Sequence, residues 1–374
     1  MKKFLDCISI VGATPSKFHG TKKYVSTGAV ATTEIDESEV VEVTYEDRPS
    51  RANLSAEAGD ILFAKMQGTR KTLLLDSETE KNIYSTGFYA VRANPEVITT
   101  ECLYYLIDSE LFLAQKDKNC SGATQKAITN GGMAKIEISV PALSEQGILV
   151  DKLKHLTQLI ADKKKQLNLF DEIIKSRFIE MFGTLSSNEQ NFEVLTIESL
   201  CSLIKDGTHQ TPTYTEDTIN GFKFLSSKDI MSTKIDWSDI KYIPSDLHEK
   251  LYAVVKPIKN DILMSKNGVN YGVAAVNDTD EVFDIYVSLA LLRPKTDIIN
   301  PVYFRSAINS PDTKRQFDSS IKGIGVPNLH LGEIKKTKIL VPPVDKQNEY
   351  VSFVEQVDKS KYHGKFTCGM EVAA

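Results

Sequence analysis

The sequence contains few cysteines, and their arrangement suggests no structural cross-link. The five cysteines, at positions 7, 102, 120, 201 and 368, are odd in number, widely spaced and never form a Cys-x-x-Cys pair. Neither a disulfide framework nor a zinc site is therefore supported. No segment approaches the roughly 18 consecutive apolar residues that a membrane helix requires, and no sustained apolar signal segment follows Met1. We expect a cytoplasmic protein.

Catalytic motifs are also missing. The sequence has no Gly-x-x-x-x-Gly-Lys-Ser/Thr phosphate loop. Its one Pro-Pro pair, Pro342-Pro343, has valine on both sides, whereas an amino-methyltransferase loop needs Asn or Asp before the pair and an aromatic residue after it. The six histidines show no metal-ligand spacing. We predict a chain that is not itself an enzyme and that binds no metal or cofactor.

The charge balance gives no support to a nucleic-acid partner. Lys and Arg number 45 against 50 Asp and Glu, for a formal net charge of −5. Non-specific affinity for DNA comes mostly from cations that contact phosphates. A basic face can still be offset by acidic residues elsewhere. The charge therefore leaves open both a DNA-binding protein and a scaffold without DNA contacts.

What the sequence does contain is a copy of itself, displaced by about 200 residues. The matches, at shifts of 200 or 201, are Lys23–Thr27 with Lys223–Ser227, Asp60–Lys65 with Asp261–Lys266, Val140-Pro141 with Val341-Pro342, and Gln146 with Gln347. A nearly constant register over so long a distance indicates a duplication. Each copy has short β-branched and aromatic segments between turn residues, followed by a helical segment, Cys102–Lys116 or Val302–Phe317. We predict two similar α+β domains.

A long helix should follow the first copy. From Ser144 to Phe182 there is no proline and only one glycine. Apolar residues recur at steps of three, four or seven, which is typical of a coiled-coil seam, at Leu149, Leu153, Leu156, Ile160, Leu167, Phe170, Ile174 and Phe178. At about 1.5 Å per residue such a helix is roughly 55–60 Å long. Gly183 is the expected stop.

The second copy begins the same transition, and we predict that its helix lies antiparallel on the first in a coiled coil. After Lys361 the chain has two glycines, Gly364 and Gly369, and no apolar seam. The second helix should therefore be shortened. Part of the first seam, Leu167, Phe170, Ile174 and Phe178, would then be exposed, which favours partner docking or self-association.

The predicted boundaries follow from these patterns. They are 1–142 for the first domain, 143–183 for the long helix, 184–342 for the second domain, 343–361 for the start of the second helix and 362–374 for an atypical tail.

The order of these segments resembles the specificity subunits of type I restriction-modification systems. The similar segments are Leu143–Gln146, Lys175–Gly183, Asp206–Pro212 and Lys322–Leu329, and the resemblance covers residues 1–361. It implies two target-recognition domains, each contacting one half of a bipartite, asymmetric double-stranded DNA site. It also implies helices that set the spacing and dock two methyltransferase subunits, with restriction-translocase subunits completing the complex. S-adenosylmethionine, ATP and Mg²⁺ would belong to those partners.

Candidate DNA contacts are polar side chains in equivalent loops of the two copies. Arg and Lys suit guanine, Asn and Gln suit adenine, and hydroxyls hold phosphates. The candidates are Lys65, Gln67, Arg70, Lys71, Gln125, Lys126, Thr208, His209, Gln210, Tyr214, Lys266, Asn267, Asn270, Tyr271, Asn328 and His330. Ordinary turns and hairpins explain several of them equally well. Two alternatives for the whole chain remain, a truncated or silent allele and a coiled-coil scaffold.

Overall fold

The computed structural model describes residues 1–123, 125–230, 234–268, 270–321 and 327–371, with side chains described as far as Lys361. The chain forms two compact units, Met1–Asp162 (unit 1) and Lys163–Ala374 (unit 2). The boundary falls inside the long helix. Residues 322–326, which belong to the similar segment Lys322–Leu329, lie outside the described residues.

Unit 1 has its strands first and its helices after them. In chain order its elements are β1 (Lys2–Lys3), β2 (Ile8–Val11), β3 (Lys22–Val25), β4 (Val41–Val43), β5 (Ala52–Leu54), β6 (Ile61–Ala64), β7 (Thr72–Leu74), β8 (Ile83–Ser85), β9 (Phe88–Ala93), α1 (Thr100–Ile107), α2 (Glu110–Lys118), α3 (Asn130–Met133), β10 (Glu137–Ile138) and α4 (Leu143–Phe182), which continues into unit 2.

Unit 2 repeats this order with two helices, α5 and α6, among its strands. Its elements are β11 (Glu193–Thr196), α5 (Ile197–Leu200), β12 (Cys201–Asp206), β13 (Phe222–Leu225), β14 (Lys241–Ile243), α6 (Ser245–Tyr252), β15 (Ile262–Ser265), β16 (Ala274–Val276), β17 (Phe283–Ile285), β18 (Leu289–Pro294), α7 (Pro301–Ile308), α8 (Pro311–Ser320), α9 (Leu331–Lys336), β19 (Lys338–Val341) and α10 (Val344–Glu371).

Each predicted helical segment is two helices. In the first segment α1 ends at Ile107, and the Ser109 hydroxyl accepts the Phe112 amide at 3.2 Å to cap the start of α2. Ser310 caps α8 in the same way, with Pro311 as the first helical residue. A serine N-cap satisfies one of the free amides at a helix start, so it favours a new helix at that point.

The sheets confirm the predicted duplication and the α+β class. One sheet has the order β2-β9-β6-β7 in unit 1 and β12-β18-β15-β16 in unit 2. A parallel pair also recurs, β3 with β8 and β13 with β17. The described parts of the copies differ at one sheet edge, where β5 extends the unit 1 sheet while α6 occupies the corresponding interval of unit 2.

An ion pair between a partly exposed arginine and a buried aspartate recurs at the predicted shift of 201. Arg92 holds Asp60 through Nε at 2.6 Å and Nη2 at 3.1 Å, and Arg293 holds Asp261 through the same atoms at 2.8 Å each. Both aspartates are almost completely buried. A guanidinium that binds both carboxylate oxygens compensates the charge that burial would otherwise penalise.

A buried glutamine attaches each long helix to its own domain. The Gln146 side chain accepts the Thr99 amide at 2.7 Å and donates to the carbonyls of Val97 and Pro141, each at 3.0 Å. In unit 2, the Gln347 side chain accepts the Asn300 amide at 2.8 Å and donates to two equivalent carbonyls. Because both glutamines are fully buried, these bonds fix where each helix leaves its domain.

The long helix has the predicted bounds. It spans Leu143–Phe182, and Gly183 follows it with φ of 71°, a left-handed conformation that glycine adopts without strain. No helix in the described ranges has both the length and the apolar character needed to cross a membrane.

The second helix corrects one prediction. We expected it to end near Lys361, but α10 runs without interruption from Val344 to Glu371. The 28 residues described for α10 compare with 40 in α4. Gly364 and Gly369 do not stop it because an interior glycine costs only about 1 kcal/mol, far less than a proline.

The exposed part of the seam is the opposite of the predicted one. Phe178 is buried, and Leu167, Phe170 and Ile174 are half-buried, whereas Leu149, Leu156 and Ile160 are exposed. Within unit 2, Phe178 contacts Tyr350 at 5.5 Å between ring centroids, and Asp171 pairs with Lys361 at 2.6 Å. The helices are therefore antiparallel, as predicted. Because the two helices are antiparallel, the start of α10 packs against the end of α4. The prediction overlooked this.

Candidate nucleic-acid interface

The first candidate loop, loop A (Lys65–Lys71), connects β6 to β7. Its backbone pairs with the segment that leads into α3, since the Gln67 amide donates to the Lys126 carbonyl and the Ile128 amide to the Lys65 carbonyl, each at 2.9 Å. Met66 and Ala127 form a β-bridge between them. The fold therefore brings together two predicted groups of contacts that lie some sixty residues apart in sequence.

The cations of loop A are largely engaged inside unit 1. Lys65 Nζ donates to the Thr86 carbonyl at 2.9 Å and lies 4.3 Å from the Tyr89 ring centroid, and burial lowers its pKa. Arg70 binds both oxygens of Asp108, which raises the pKa of the guanidinium. Lys71 Nζ donates to a backbone carbonyl at 2.6 Å. These three cations already have partners within unit 1. They therefore stabilise the loop more than they provide free positive charge for DNA phosphates.

Three other predicted contacts of unit 1 face solvent. Gln67, Gln125 and Lys126 are exposed. Gln67 keeps one hydrogen bond, from Nε2 to the Asp117 carbonyl at 3.2 Å, and its other polar groups can reach a ligand. Amide and ammonium groups on an exposed loop suit base edges and phosphates.

The equivalent loop of unit 2, loop B (Lys266–Gly272), has the same backbone bonds at a shift of 201. The Gly268 amide donates to the Pro327 carbonyl at 3.2 Å, and the Leu329 amide to the Lys266 carbonyl at 2.7 Å. Asn267 and Asn328 form the corresponding β-bridge. Val269, within this loop, lies outside the described residues. Equivalent backbones thus carry different side chains in the two units.

The side chains of loop B are partly engaged as well. Lys266 is buried, and its ammonium pairs with Asp206. The Tyr271 hydroxyl donates to Asp318, and Lys314 Nζ lies 3.3 Å from the Tyr271 ring centroid. Asn267 and Asn270 in loop B are half-buried, while Asn328 and His330, in the segment paired with the loop, are exposed.

The third loop, loop C (Gly207–Tyr214), follows β12 in unit 2. Thr208 pairs with the end of β17 and the residues that follow it. Its amide donates to the Ile285 carbonyl at 3.0 Å, and its carbonyl accepts the Val287 amide at 2.9 Å. A Cβ on Gly207 would lie 2.2 Å from the Ile285 carbonyl oxygen, so this close approach requires glycine. The strand contacts leave His209 and Gln210 exposed.

Loops B and C meet at one carboxylate. Asp206 Oδ1 pairs with Lys266, and its Oδ2 lies 3.7 Å from His209 Nε2. A cleft of about 440 Å³ lies beside loop C. Its lining includes Asp206, His209 and Asp284. Tyr214 lies further along, where its half-exposed ring contacts Phe224. Most predicted contacts of unit 2 therefore belong to one connected surface, and all sixteen candidates stay predictions.

Two buried groups had no signal in the sequence. His248 Nδ1 lies 2.7 Å from Asp284 Oδ2 in the interior of unit 2, with its ring stacked on Phe222. Burial raises the pKa of Asp284, although the His248 contact opposes this. In unit 1, Lys116 is buried beneath loop A. Only the tertiary structure reveals these contacts, because their partners are distant in sequence.

Comparison with known proteins identifies similar chains. Residues 10–169 and 189–364 match the family model described as type I restriction modification DNA specificity domain. The EcoBI specificity subunit of Escherichia coli is 23% identical over 270 residues, covering 66% of this chain and 56% of the relative. The EcoKI specificity subunit of Escherichia coli K12 is 23% identical over 289 residues, covering 72% and 61%. The chain thus spans less than two thirds of these relatives' length.

Similar solved structures include specificity subunits. The HsdS subunit from Thermoanaerobacter tengcongensis is 18% identical, with a TM-score of 0.40 and coverage of 98% of this chain and 90% of that one. The type I restriction-modification S subunit from M. genitalium is 13% identical, with a TM-score of 0.48 and coverage of 100% and 92%.

Proposed function

Because the chain belongs to the family of type I restriction modification DNA specificity domains, we propose that it recognises a bipartite, asymmetric DNA sequence. Each domain contacts one half of the site. The chain itself contributes no catalytic group. Methylation and cleavage take place on two methyltransferase subunits and on restriction-translocase subunits, which carry S-adenosylmethionine, ATP and Mg²⁺.

The observation that supports this proposal most directly is the repetition of one loop framework with different side chains. Loops A and B share their backbone bonds at a shift of 201. Loop A and the segment paired with it present Gln67, Gln125 and Lys126, whereas the segment paired with loop B presents Asn328 and His330. Base identity is read by side chains held at a fixed distance from the groove. Two equal frameworks with unequal side chains suit two different half-sites.

The alternative of a helical scaffold without DNA contacts is not favoured by the family. The net charge of −5 does not contradict DNA binding, because a sum over the whole chain does not describe the charge of one face, and cations on that face can be offset by carboxylates elsewhere. Affinity should depend on a few exposed cations and on amides. We expect weaker salt dependence than for a strongly basic DNA-binding protein.

The test is to express the chain with its methyltransferase partner in cells without other methyltransferases and to sequence the methylome. We expect one bipartite motif. Replacing Gln125 and Lys126 together by alanine should relax one half of the motif, and replacing His209 and Gln210 should relax the other half. Glu145→Ala and Glu355→Ala, at exposed positions on the helices, are controls that should leave the motif unchanged. If every variant gives the wild-type motif, or if no motif is found, the proposal is wrong.

A further inference from the structure

A buried ammonium group lies beneath loop A. Lys116, on α2, is 2% exposed. Its Nζ donates to the carbonyl oxygens of Met66 at 2.8 Å, Thr69 at 2.7 Å and Ala64 at 3.3 Å. The nearest carboxylate, that of Asp117, lies 3.5 Å away. An ammonium group has three N–H donors, and here all of them bind one short stretch of backbone.

These bonds determine the path of the loop. Ala64 ends β6, and Met66 and Thr69 lie in loop A, so three carbonyls along this stretch must turn towards one point to reach Nζ. Burial lowers the pKa of Lys116, which shows that the environment disfavours the charge. An apolar side chain often substitutes for a buried ionic group without loss of stability, so what distinguishes Lys116 here is the set of bonds that it donates to the loop.

Unit 2 has an apolar side chain at this position. At a shift of 201, the counterpart of Lys116 is Phe317, a buried residue of α8. Loop B closes directly on its ring, since a Cβ on Gly272 would lie 2.7 Å from Phe317 Cδ2. The fold of the domain therefore does not need a lysine at this position. What differs between the units is the loop that the side chain supports.

We propose that Lys116 is a positioning residue, which sets the conformation of loop A and through it the bases that the first domain recognises. The effect on recognition rests on the proposed function, whereas the effect on the loop does not. Lys116 itself does not touch DNA, because its ammonium group is enclosed by the loop.

The loop is tested first, without DNA, by hydrogen exchange of the full chain. In Lys116→Met the amides of Gln67 and Thr69 should exchange about tenfold faster or more, while those of the β6–β9 pair keep their protection. Lys116→Gln, which retains two N–H donors without a charge, should fall between Met and wild type, and it provides a second variant if Met prevents folding. Lys118→Met removes an exposed ammonium from the same helix and should leave loop A unchanged. Unchanged exchange at Gln67 and Thr69 in both Lys116 variants would overturn the proposal.

Recognition is tested by selecting DNA sequences with the chain bound to its methyltransferase partner. The Lys116 variants should lose about tenfold or more of the base preference in one half of the site and none in the other. The salt dependence of binding should not change, because a direct phosphate contact would reduce its slope by about one and Lys116 makes none. Equal loss of base preference in both halves of the site would indicate a general loss of structure. A reduced salt-dependence slope would indicate a direct DNA contact. Either result contradicts a positioning role. If the wild type selects no sequence, the proposed function fails, while hydrogen exchange still decides the role of Lys116 in the loop.

Discussion

Replacing Gln347 by leucine should destabilise unit 2 strongly although the two side chains are similar in size. The substitution removes three hydrogen bonds of 2.8–3.0 Å and leaves the Asn300 amide and the carbonyls of Ile298 and Pro342 buried without partners. Each unpaired buried group costs about 1–3 kcal/mol, and the costs overlap because the groups share one site. We expect a loss of about 3–5 kcal/mol, a large part of the stability of an ordinary domain.

Urea unfolding followed by tryptophan fluorescence measures this loss. Trp237 is the one tryptophan of the sequence, and it packs against Phe283 in unit 2, so its emission follows that unit. With a urea dependence of about 2–3 kcal/mol per M, the midpoint should fall by about 1.5 M. Gln356→Leu, at an exposed position of the same helix, should shift it by less than about 0.3 M.

Gln146→Leu is the corresponding change in unit 1. It should increase hydrogen exchange at the Thr99 amide, which Gln146 accepts at 2.7 Å. If Gln347→Leu unfolds within about 0.5 M of the wild type, the carbonyls and the amide have found other partners. The glutamine would then not be what attaches the helix to its domain.

Two further predictions concern unit 2. Burial raises the pKa of the Cys201 thiol to about 12, whereas the same thiol in the unfolded chain has a pKa near 8.5. As the pH rises, the unfolded chain therefore ionises first. The stability that is present below pH 8.5 declines as the pH rises towards 12. Between pH 8 and pH 10 the free energy of unfolding of the wild type should fall by about 1–2 kcal/mol more than that of Cys201→Ala, and equal slopes in urea unfolding would contradict this. Phe178→Ala should cost about 3–5 kcal/mol, because Phe178 is buried among Phe182, Tyr303 and Tyr350, whereas Leu156→Ala at an exposed position of the same helix should cost under about 0.5 kcal/mol. Thermal unfolding measures both losses of stability. A Leu156→Ala substitution as costly as Phe178→Ala would contradict the exposure of Leu156.

The repeat could be predicted because identical residues recur at a nearly constant shift. Asp60 and Asp261, like Gln146 and Gln347, recur at one shift, and the structure gives each pair the same partners. The split of each helical segment was missed, although Ser109 and Ser310 are recognisable N-caps. The change of direction is marked by a single capping serine in each copy, and a coarse assignment of helical character does not register it.

The candidate interface was predictable only in outline. Loop position follows from strands and turns, but Lys65, Arg70, Lys71 and Lys266 are chemically plausible DNA contacts that the structure pairs with groups of their own unit. Sequence gives the type of a side chain and not its nearest neighbour. Whether a cation is free or engaged depends on residues brought close by folding, such as Asp108 for Arg70.

The duplication, the α+β class, the long helix and its antiparallel partner could be predicted from the residues, because repeats and apolar periodicity are visible as patterns of residue identity. Which end of the seam is covered could not, since that depends on where α10 meets α4 rather than on the seam's own residues. Only the tertiary structure decided this, and it also decided that Lys116 supports loop A while Phe317 supports loop B. A buried lysine and a surface lysine look the same in sequence, and only the carbonyls gathered around one of them show the difference.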